Sequence, residues 1–160
     1  MAKRRTYTYE WPRPMVTVDA AVFTFIKGGV HLLLIRRNKE PFKGKWALPG
    51  GFVEMDEELA DASTRELKEE TGLTGIKLEQ LQAFGRIGRD PRGRNISVVF
   101  SGIAESGRTK IKAGDDAKEA KWFDINKLPS LGFDHDEVVR IAVKKLKSKK
   151  AFRQHCKNHS

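Results

Sequence analysis

The chain has 160 residues, of which 39% are hydrophobic and 9% aromatic, and a formal net charge of +10. This length suits one domain with a sizeable core, and the apolar share excludes a wholly disordered chain. No apolar run approaches the roughly 18 residues of a membrane-spanning helix, and the basic, polar start shows no secretory signal. The single cysteine, Cys156, excludes an intramolecular disulfide framework and a multi-cysteine zinc site. We therefore expect a cytoplasmic protein that is not bound to a membrane.

The positive charge is concentrated at the two ends of the chain. Residues 1–13 carry a net charge of +3, residues 138–160 carry +8, and the centre carries −1. We interpret residues 1–14 as a basic lead-in, 15–147 as the domain and 148–160 as a basic tail. A basic tail can attract nucleic acid or anionic lipid non-specifically, although a solvated helix face with a frayed end is the commoner explanation. The near-neutral centre gives no support for a nucleic-acid groove, so we expect no specific nucleic-acid partner.

The first predicted elements form a hairpin. Residues 15–26 are rich in β-branched and aromatic side chains, and residues 30–35 are a second apolar run. The turn sequence Lys27-Gly28-Gly29 separates them, which is typical of a β-hairpin. A polar loop over residues 36–45 then leads into a short segment that ends in Leu-Pro-Gly-Gly.

A helix and further strands follow. Residues 57–71 lack Gly and Pro and stop at Gly72, a common residue after a helix C-terminus. Further strands are predicted at about residues 76–86, 95–104 and 119–124, and a last amphipathic helix at about 134–150. Because strands outnumber helices and occur in hairpins, we expect an α+β fold with a mixed sheet between helices, rather than a doubly wound fold.

The chemistry is concentrated in residues 51–73. The carboxylates that matter there are Glu57, Glu66, Glu69 and Glu70. At about 100° per residue, the last three fall within one arc of the predicted helix, where like charges repel each other unless a cation offsets them. Oxygen-rich acidic sites suit Mg²⁺ or Mn²⁺, which prefer phosphate oxygens as their remaining ligands. The alternative is a solvated acidic face with Arg65 and Lys68 as counterions.

The spacing of this segment favours the first interpretation. The pattern is Gly51, five residues, Glu57, seven residues, Arg65-Glu66-Leu67, one residue, Glu69-Glu70, one residue, Gly72-Leu73. The chain therefore resembles the Nudix hydrolases, from about Val16 to the last helix. The resemblance implies the Nudix fold, with a mixed β-sheet sandwiched between helices (α/β/α). It also implies hydrolysis of the pyrophosphate in a nucleoside diphosphate linked to another group, with Mg²⁺ or Mn²⁺ as cofactor.

The resemblance also implies roles for the acids. Glu69 and Glu70 match the principal metal ligands, and Glu66 matches either a further ligand or the general base. A metal ion held by them would polarise the pyrophosphate, neutralise charge in the transition state and activate water.

Further members of the site are implied outside this trio. Glu57 and Arg65 match the pair that braces the loop against the helix and complete the predicted catalytic set, while Gly51 matches the glycine whose carbonyl can face the metal. Asp116 is the first candidate for an additional metal ligand from a later loop. The alternative for Asp116 is an ordinary polar turn before a strand.

Three segments resemble the ADP-ribose-hydrolysing members of the family. They are Pro12-Arg13-Pro14, the loop over residues 88–94 and Phe133-Asp134-His135. The substrate-binding residues that they predict are Arg89, Arg92, Arg94, Phe133 and His135, because arginines grip phosphate or ribose through paired hydrogen bonds. The alternatives are a solvated hairpin loop for the arginines and a helix cap and staple for the other two. Phe84, Trp46 and Trp122 could stack a base, but buried aromatic residues more often belong to the core.

These segments favour conversion of ADP-ribose to AMP and ribose 5-phosphate. The first alternative is a pyrophosphatase for oxidised or non-standard nucleoside triphosphates, and another is RNA-end processing guided by the basic tail. A non-catalytic ADP-ribose-sensing regulator is less favoured, because every acid of the box is present and only 27 residues follow Phe133. The resemblance alone suggests a homodimer.

Overall fold

The computed structural model describes residues 6–105, 109–114, 117–150 and 152–154, without the side chain of Lys118. Its strands are β1 (Met15–Ile26), β2 (Gly29–Arg37), β3 (Trp46–Ala47), β4 (Gly50–Phe52), β5 (Glu79–Phe84), β6 (Asn95–Ile103) and β7 (Ala117–Asp124). Its helices are α1 (Leu59–Thr71) and α2 (His135–Ser148). The predicted additional ligand Asp116 lies outside the described residues.

The long strand β1 organises the sheet. It pairs in antiparallel fashion with β2 and β4 and in parallel with β6, so the sheet is mixed. β2 continues the sheet to β3 and β7, and β6 continues it to β5. In the register of the predicted hairpin, Phe23 lies opposite Leu32 and Ile26 opposite Gly29. The hairpin and the mixed sheet are confirmed.

Alternate residues of β1 pack against helices on opposite faces of the sheet. Val22 belongs to a buried cluster with Leu67 of α1. Its neighbour Phe23 belongs to a separate cluster with Val138 of α2. Because successive side chains of a strand point to opposite faces, the sheet buries apolar surface on both sides. The expected α+β sandwich is therefore confirmed.

The element boundaries differ slightly from the sequence-based ones. α1 begins at Leu59 rather than residue 57, since residues 55–57 form a turn in which the Glu57 carboxylate accepts a hydrogen bond from the Glu54 amide (2.8 Å). α2 ends at Ser148, since Lys149 has extended backbone angles. β5 is shorter than predicted, and β2 and β7 are longer.

Part of the predicted basic tail packs against the domain. Residues 152–154 are helical, and the Phe152 ring lies 6.5 Å from the Phe25 ring. Lys149 pairs with Glu79 at 2.9 Å. No helix in the described part of the chain is long and apolar enough to cross a membrane.

Candidate active site

The segment Leu48-Pro49-Gly50-Gly51, the glycine loop, leads into β4, which pairs with the central strand β1. Gly50 lies opposite Asp19 in the β1–β4 register, and Gly51 lies opposite Val18. A Cβ at Gly50 would overlap the Val18 carbonyl oxygen, and one at Gly51 would overlap the Glu66 carboxylate. Glycine is therefore required at position 50, where the overlap is with backbone, whereas a side chain at position 51 would displace the Glu66 carboxylate from the loop.

Arg65 connects the acids of α1 to this loop. Its guanidinium donates to Glu57 from Nε (2.9 Å) and Nη2 (2.6 Å), and to the Phe52 carbonyl from Nη2 (3.1 Å). Nη1 donates to Glu66 (2.7 Å) and Glu69 (3.2 Å). These hydrogen bonds raise the pKa of Arg65 and lower the pKa of Glu57, so this pair is ionised at neutral pH. The sequence-predicted catalytic residues other than Glu70 thus meet at one guanidinium.

Glu70 lies deeper than the other acids. Its Oε2 accepts a hydrogen bond from the Gly50 amide at 2.9 Å. Burial raises the pKa of Glu70 to about 8, with repulsion from Glu66 and Asp19 acting in the same direction. Burial also raises the pKa of Glu66, although Arg65 opposes the shift. The negative charge that these two carboxylates would carry is therefore poorly compensated.

The donor chemistry around Glu70 suits a hard divalent cation. Two desolvated carboxylates and the closely packed glycine backbone can supply oxygen ligands, and a cation would favour the charged forms of Glu66 and Glu70, whose pKa values burial raises. Within the ranges that the structure describes, no three His, Cys, Asp or Glu side chains already converge as a metal-binding group. The reason is visible in the contacts, because Arg65 holds Glu66 and Glu69 while Glu70 turns to Gly50.

The predicted substrate arginines have protein partners. Arg89 is only 6% exposed and forms a bidentate pair with Asp134, from Nε at 2.9 Å and Nη2 at 2.7 Å. Arg92 forms a similar pair with Asp90, with Nη2 at 2.7 Å from Oδ2. Arg94 donates to the Gly85 carbonyl at 2.5 Å. Arg89 and Arg92 line the cleft beside the glycine loop, whereas Arg94 does not.

His135 and Phe133 sit at the start of α2. The His135 ring is buried, and its Nδ1 accepts a hydrogen bond from the Leu48 amide at 3.0 Å. Nε2 therefore carries the proton and faces the Asp19 carboxylate at 3.6 Å. Burial lowers the pKa of His135, so the ring is neutral at pH 7. His135 thereby fixes the strand that enters the glycine loop, while the Phe133 ring lines the cleft.

Asp19 and Arg37 belong to the site but carry no signal in the sequence. Buried Asp19 accepts a short hydrogen bond from Ser97, and half-buried Arg37 closes the end of β2. Asp19 stands within an apolar strand run and Arg37 in an arginine pair before a loop. The sequence around Asp19 or Arg37 does not indicate a site, because the residues beside them in the fold come from β4 and α2, which are distant in the chain.

Two adjoining clefts surround the glycine loop. The larger encloses about 430 Å³ and is lined by Glu66 and Glu70 of α1, a volume within the range of about 300–1,000 Å³ of small-molecule sites. The second runs towards Asp19, Arg89 and His135. Residues that line both are Arg37, Gly50, Gly51, Phe52 and Arg92. The acidic α1 face thus opens into one continuous groove.

The other aromatic candidates belong to the core or to internal contacts. Phe84 is 7% exposed within the α2-side cluster. Trp46 packs edge-on against Phe123 at 4.7 Å between ring centroids, and Trp122 donates to the Thr109 carbonyl. None of the three lines the groove described above, in agreement with the core alternative.

Comparison with known proteins identifies related sequences. The family model described as the NUDIX domain matches residues 15–141. The chain is 45% identical over 140 residues to the ADP-ribose pyrophosphatase of Methanocaldococcus jannaschii, covering 88% of this chain and 77% of that protein. It is 33% identical to an ADPR responsive transcriptional repressor of Acinetobacter baylyi, covering 88% of this chain and only 57% of the repressor.

Solved structures show the same architecture. A MutT/nudix family protein from Enterococcus faecalis superposes with a TM-score of 0.81 at 32% identity, covering 94% of this chain and 70% of its own. The NUDIX domain of Shewanella oneidensis NrtR, solved with ADP ribose, gives 0.78 at 30% identity over 85% of this chain and 90% of its own. A bifunctional NMN adenylyltransferase/ADP ribose pyrophosphatase from Francisella tularensis, solved with AMP and a Mn ion, gives 0.72 at 34% identity, covering 86% and 43%.

Proposed function

The chain belongs to the Nudix hydrolase family, and we propose that it hydrolyses ADP-ribose to AMP and ribose 5-phosphate. The observation that carries this proposal is the groove in which the acidic face of α1 meets the glycine loop, in a chain 45% identical to an ADP-ribose pyrophosphatase. In the reaction, the oxygen of water bonds to one phosphorus while the bridging P–O bond of the pyrophosphate breaks.

Nudix hydrolases use divalent metal ions, and the residues of this site fit one. We propose that Glu66, Glu69, Glu70 and the Gly51 carbonyl hold Mg²⁺, with Mn²⁺ as a substitute and Asp116 as a further candidate ligand. The bound ion would supply positive charge that offsets the charge of the pyrophosphate in the transition state. Glu70 is the acid whose burial makes it most dependent on that positive charge.

The chain's own residues prepare the site for this reaction. Arg65 holds Glu57 and the Phe52 carbonyl, which fixes the loop relative to α1. His135 holds the Leu48 amide, which fixes the other end of the same loop. Because the backbone around the groove is fixed in this way, the groove can hold the pyrophosphate without ordering the loop during the reaction. Preorganised sites accelerate chemistry for this reason.

A substrate panel tests the proposal. With Mg²⁺ present, we expect kcat/KM for ADP-ribose to exceed that for nucleoside triphosphates, oxidised nucleoside triphosphates and 5′-triphosphate RNA. A protein that instead favoured nucleoside triphosphates and released pyrophosphate would be the sanitising enzyme of the first alternative. A protein that bound ADP-ribose without turnover would be a sensor, as the relationship to the Acinetobacter repressor would then suggest. A homodimer remains a prediction, which light scattering would test.

A further inference from the structure

Four guanidinium groups of the described residues line the groove, and three of them pair with carboxylates. Arg65 binds Glu57, Arg89 binds Asp134, and Arg92 binds Asp90. A carboxylate paired with a guanidinium offsets its positive charge and so weakens its attraction for a phosphate. The positive charge that these three guanidinium groups offer a phosphate is therefore partly offset.

Arg37 is different. Its described hydrogen bonds go to backbone carbonyls, from Nε to Pro41 at 2.7 Å and from Nη2 to Lys39 at 3.4 Å. Among the described carboxylates, none lies within ion-pair distance of it, although Glu70, Asp90 and Asp19 attract it from farther away. Burial lowers the pKa of Arg37, and the neighbouring Arg92 cation lowers it further. A desolvated cation beside a second cation is stabilised by an incoming anion.

An aromatic ring holds the Arg37 side chain at the groove. The guanidinium carbon lies 4.9 Å from the centre of the Phe133 ring, and Phe133 in turn packs on Phe42 at 4.7 Å between centroids. Both phenylalanines have positive backbone φ angles, 55° and 64°. Such a conformation is strained for a non-glycine residue and persists where the surrounding structure holds it. Here the strained backbone places the ring that orients Arg37.

We propose that Arg37 binds a phosphate group of the pyrophosphate substrate and so determines specificity for it, an inference that rests on the proposed function. Arg37 lines both clefts, together with the glycine loop. A phosphate there can lie between the Arg37 guanidinium and the acidic face of α1. The planar fork of arginine provides two parallel donors for phosphate oxygens, which a lysine ammonium cannot match.

The test uses Arg37→Gln and Arg37→Lys in the full chain, with Arg36→Gln as the matched control. Arg36 precedes Arg37 on β2, also donates to a backbone carbonyl of the following loop (Gly44, 3.1 Å), and does not line either cleft. We expect Arg37→Gln to raise KM for ADP-ribose roughly 10- to 100-fold, the range for a charge-assisted hydrogen bond. The lysine variant should fall between it and the unsubstituted protein, and Arg36→Gln should match the unsubstituted protein.

Binding without turnover separates this inference from the proposed function. Titration calorimetry in EDTA, with inorganic pyrophosphate as the probe, should show weaker binding for Arg37→Gln than for Arg36→Gln. Equal affinity in these two variants, whether both match the unsubstituted protein or both fall below it, would overturn the role of Arg37, even if the unsubstituted protein hydrolyses ADP-ribose. The role would also be overturned if the unsubstituted protein bound no pyrophosphate. If the unsubstituted protein hydrolyses no ADP-ribose, the proposed function fails, and the pyrophosphate titration still decides the role of Arg37.

Discussion

The guanidinium of Arg65 grips the carboxylate of Glu57 through two hydrogen bonds, from Nε at 2.9 Å and from Nη2 at 2.6 Å. Glu57 precedes α1 and also accepts the Glu54 amide, so this pair ties the entry of the helix to its middle. The same guanidinium donates to Phe52 in β4. One side chain therefore joins the loop, the helix entry and the acidic face.

Glu57→Gln should destabilise the fold. The amide places an NH₂ group where Arg65 needs an acceptor, which removes one charge-assisted hydrogen bond and costs about 1–3 kcal/mol of unfolding free energy. Urea denaturation measures the loss. Glu119→Gln is the control, because its ion pair with Arg36 is long (4.0 Å) and exposed, and such pairs contribute about 0–1 kcal/mol. Equal stability of the two variants would contradict the bracing role of Glu57.

Gly51→Ala should reduce activity more than stability. The added Cβ overlaps the flexible end of Glu66, so that carboxylate must move away from the loop. We expect kcat for ADP-ribose to fall at least about tenfold, since a displacement of about 1 Å in a reacting geometry can cost about 100-fold. Gly29→Ala is the control, because its nearest neighbours lie at 3.5 Å. A Gly51→Ala protein with normal kcat would exclude Glu66 from the chemistry.

His135 should make stability depend on pH. Because the pKa of this buried ring is lowered, the unfolded chain takes up the proton first as pH falls, and folded stability declines below about pH 6.5. The charged groups around the ring are Asp19, Asp134, Arg89 and Arg37. His135→Asn keeps an acceptor for the Leu48 amide and removes the titration. The melting temperature of the unsubstituted protein should therefore fall more between pH 7.5 and pH 5.5 than that of the variant, and parallel curves would contradict the assignment.

The end of the chain should matter for stability and not for catalysis. Phe152 packs on Phe25 at the edge of the α2-side core, far along the chain from the acidic face. Phe152→Ala should lower the unfolding free energy by about 1–2 kcal/mol, because the ring is only partly buried and a full burial is worth more. Removal of residues 148–160 should have a similar effect and leave kcat/KM for ADP-ribose largely unchanged. A collapse of kcat/KM in folded truncated protein would show that the tail contributes to the site.

Local patterns predicted the parts of the molecule that depend on local chemistry. The hairpin turn at Gly28-Gly29, the stop at Gly72 and the spacing of the four glutamates all act within a few residues, and each leaves a readable pattern. The β-branched and aromatic content of residues 15–26 predicted the strand β1, and the two helix clusters show that it is buried on both faces.

Contacts between distant residues could not be read in the same way. The loop arginines stay predicted substrate ligands, but nothing in the sequence indicated that Arg89 pairs with Asp134, 45 positions away. No periodicity or spacing encodes that contact. Arg37 could not be predicted as a site residue for the same reason, since Phe133 lies beside it only because α2 packs on the sheet.

The most direct test of the account is the identity of the products. When unsubstituted protein acts on ADP-ribose with Mg²⁺, ³¹P NMR should show AMP and ribose 5-phosphate in equal amounts. A folded Glu70→Gln variant should lose most of this turnover. Glu70 is a proposed metal ligand, and the substitution replaces its buried carboxylate with a neutral amide. The account would be contradicted if ADP-ribose stayed intact while a nucleoside triphosphate released pyrophosphate, or if Glu70→Gln turned over ADP-ribose at the full rate.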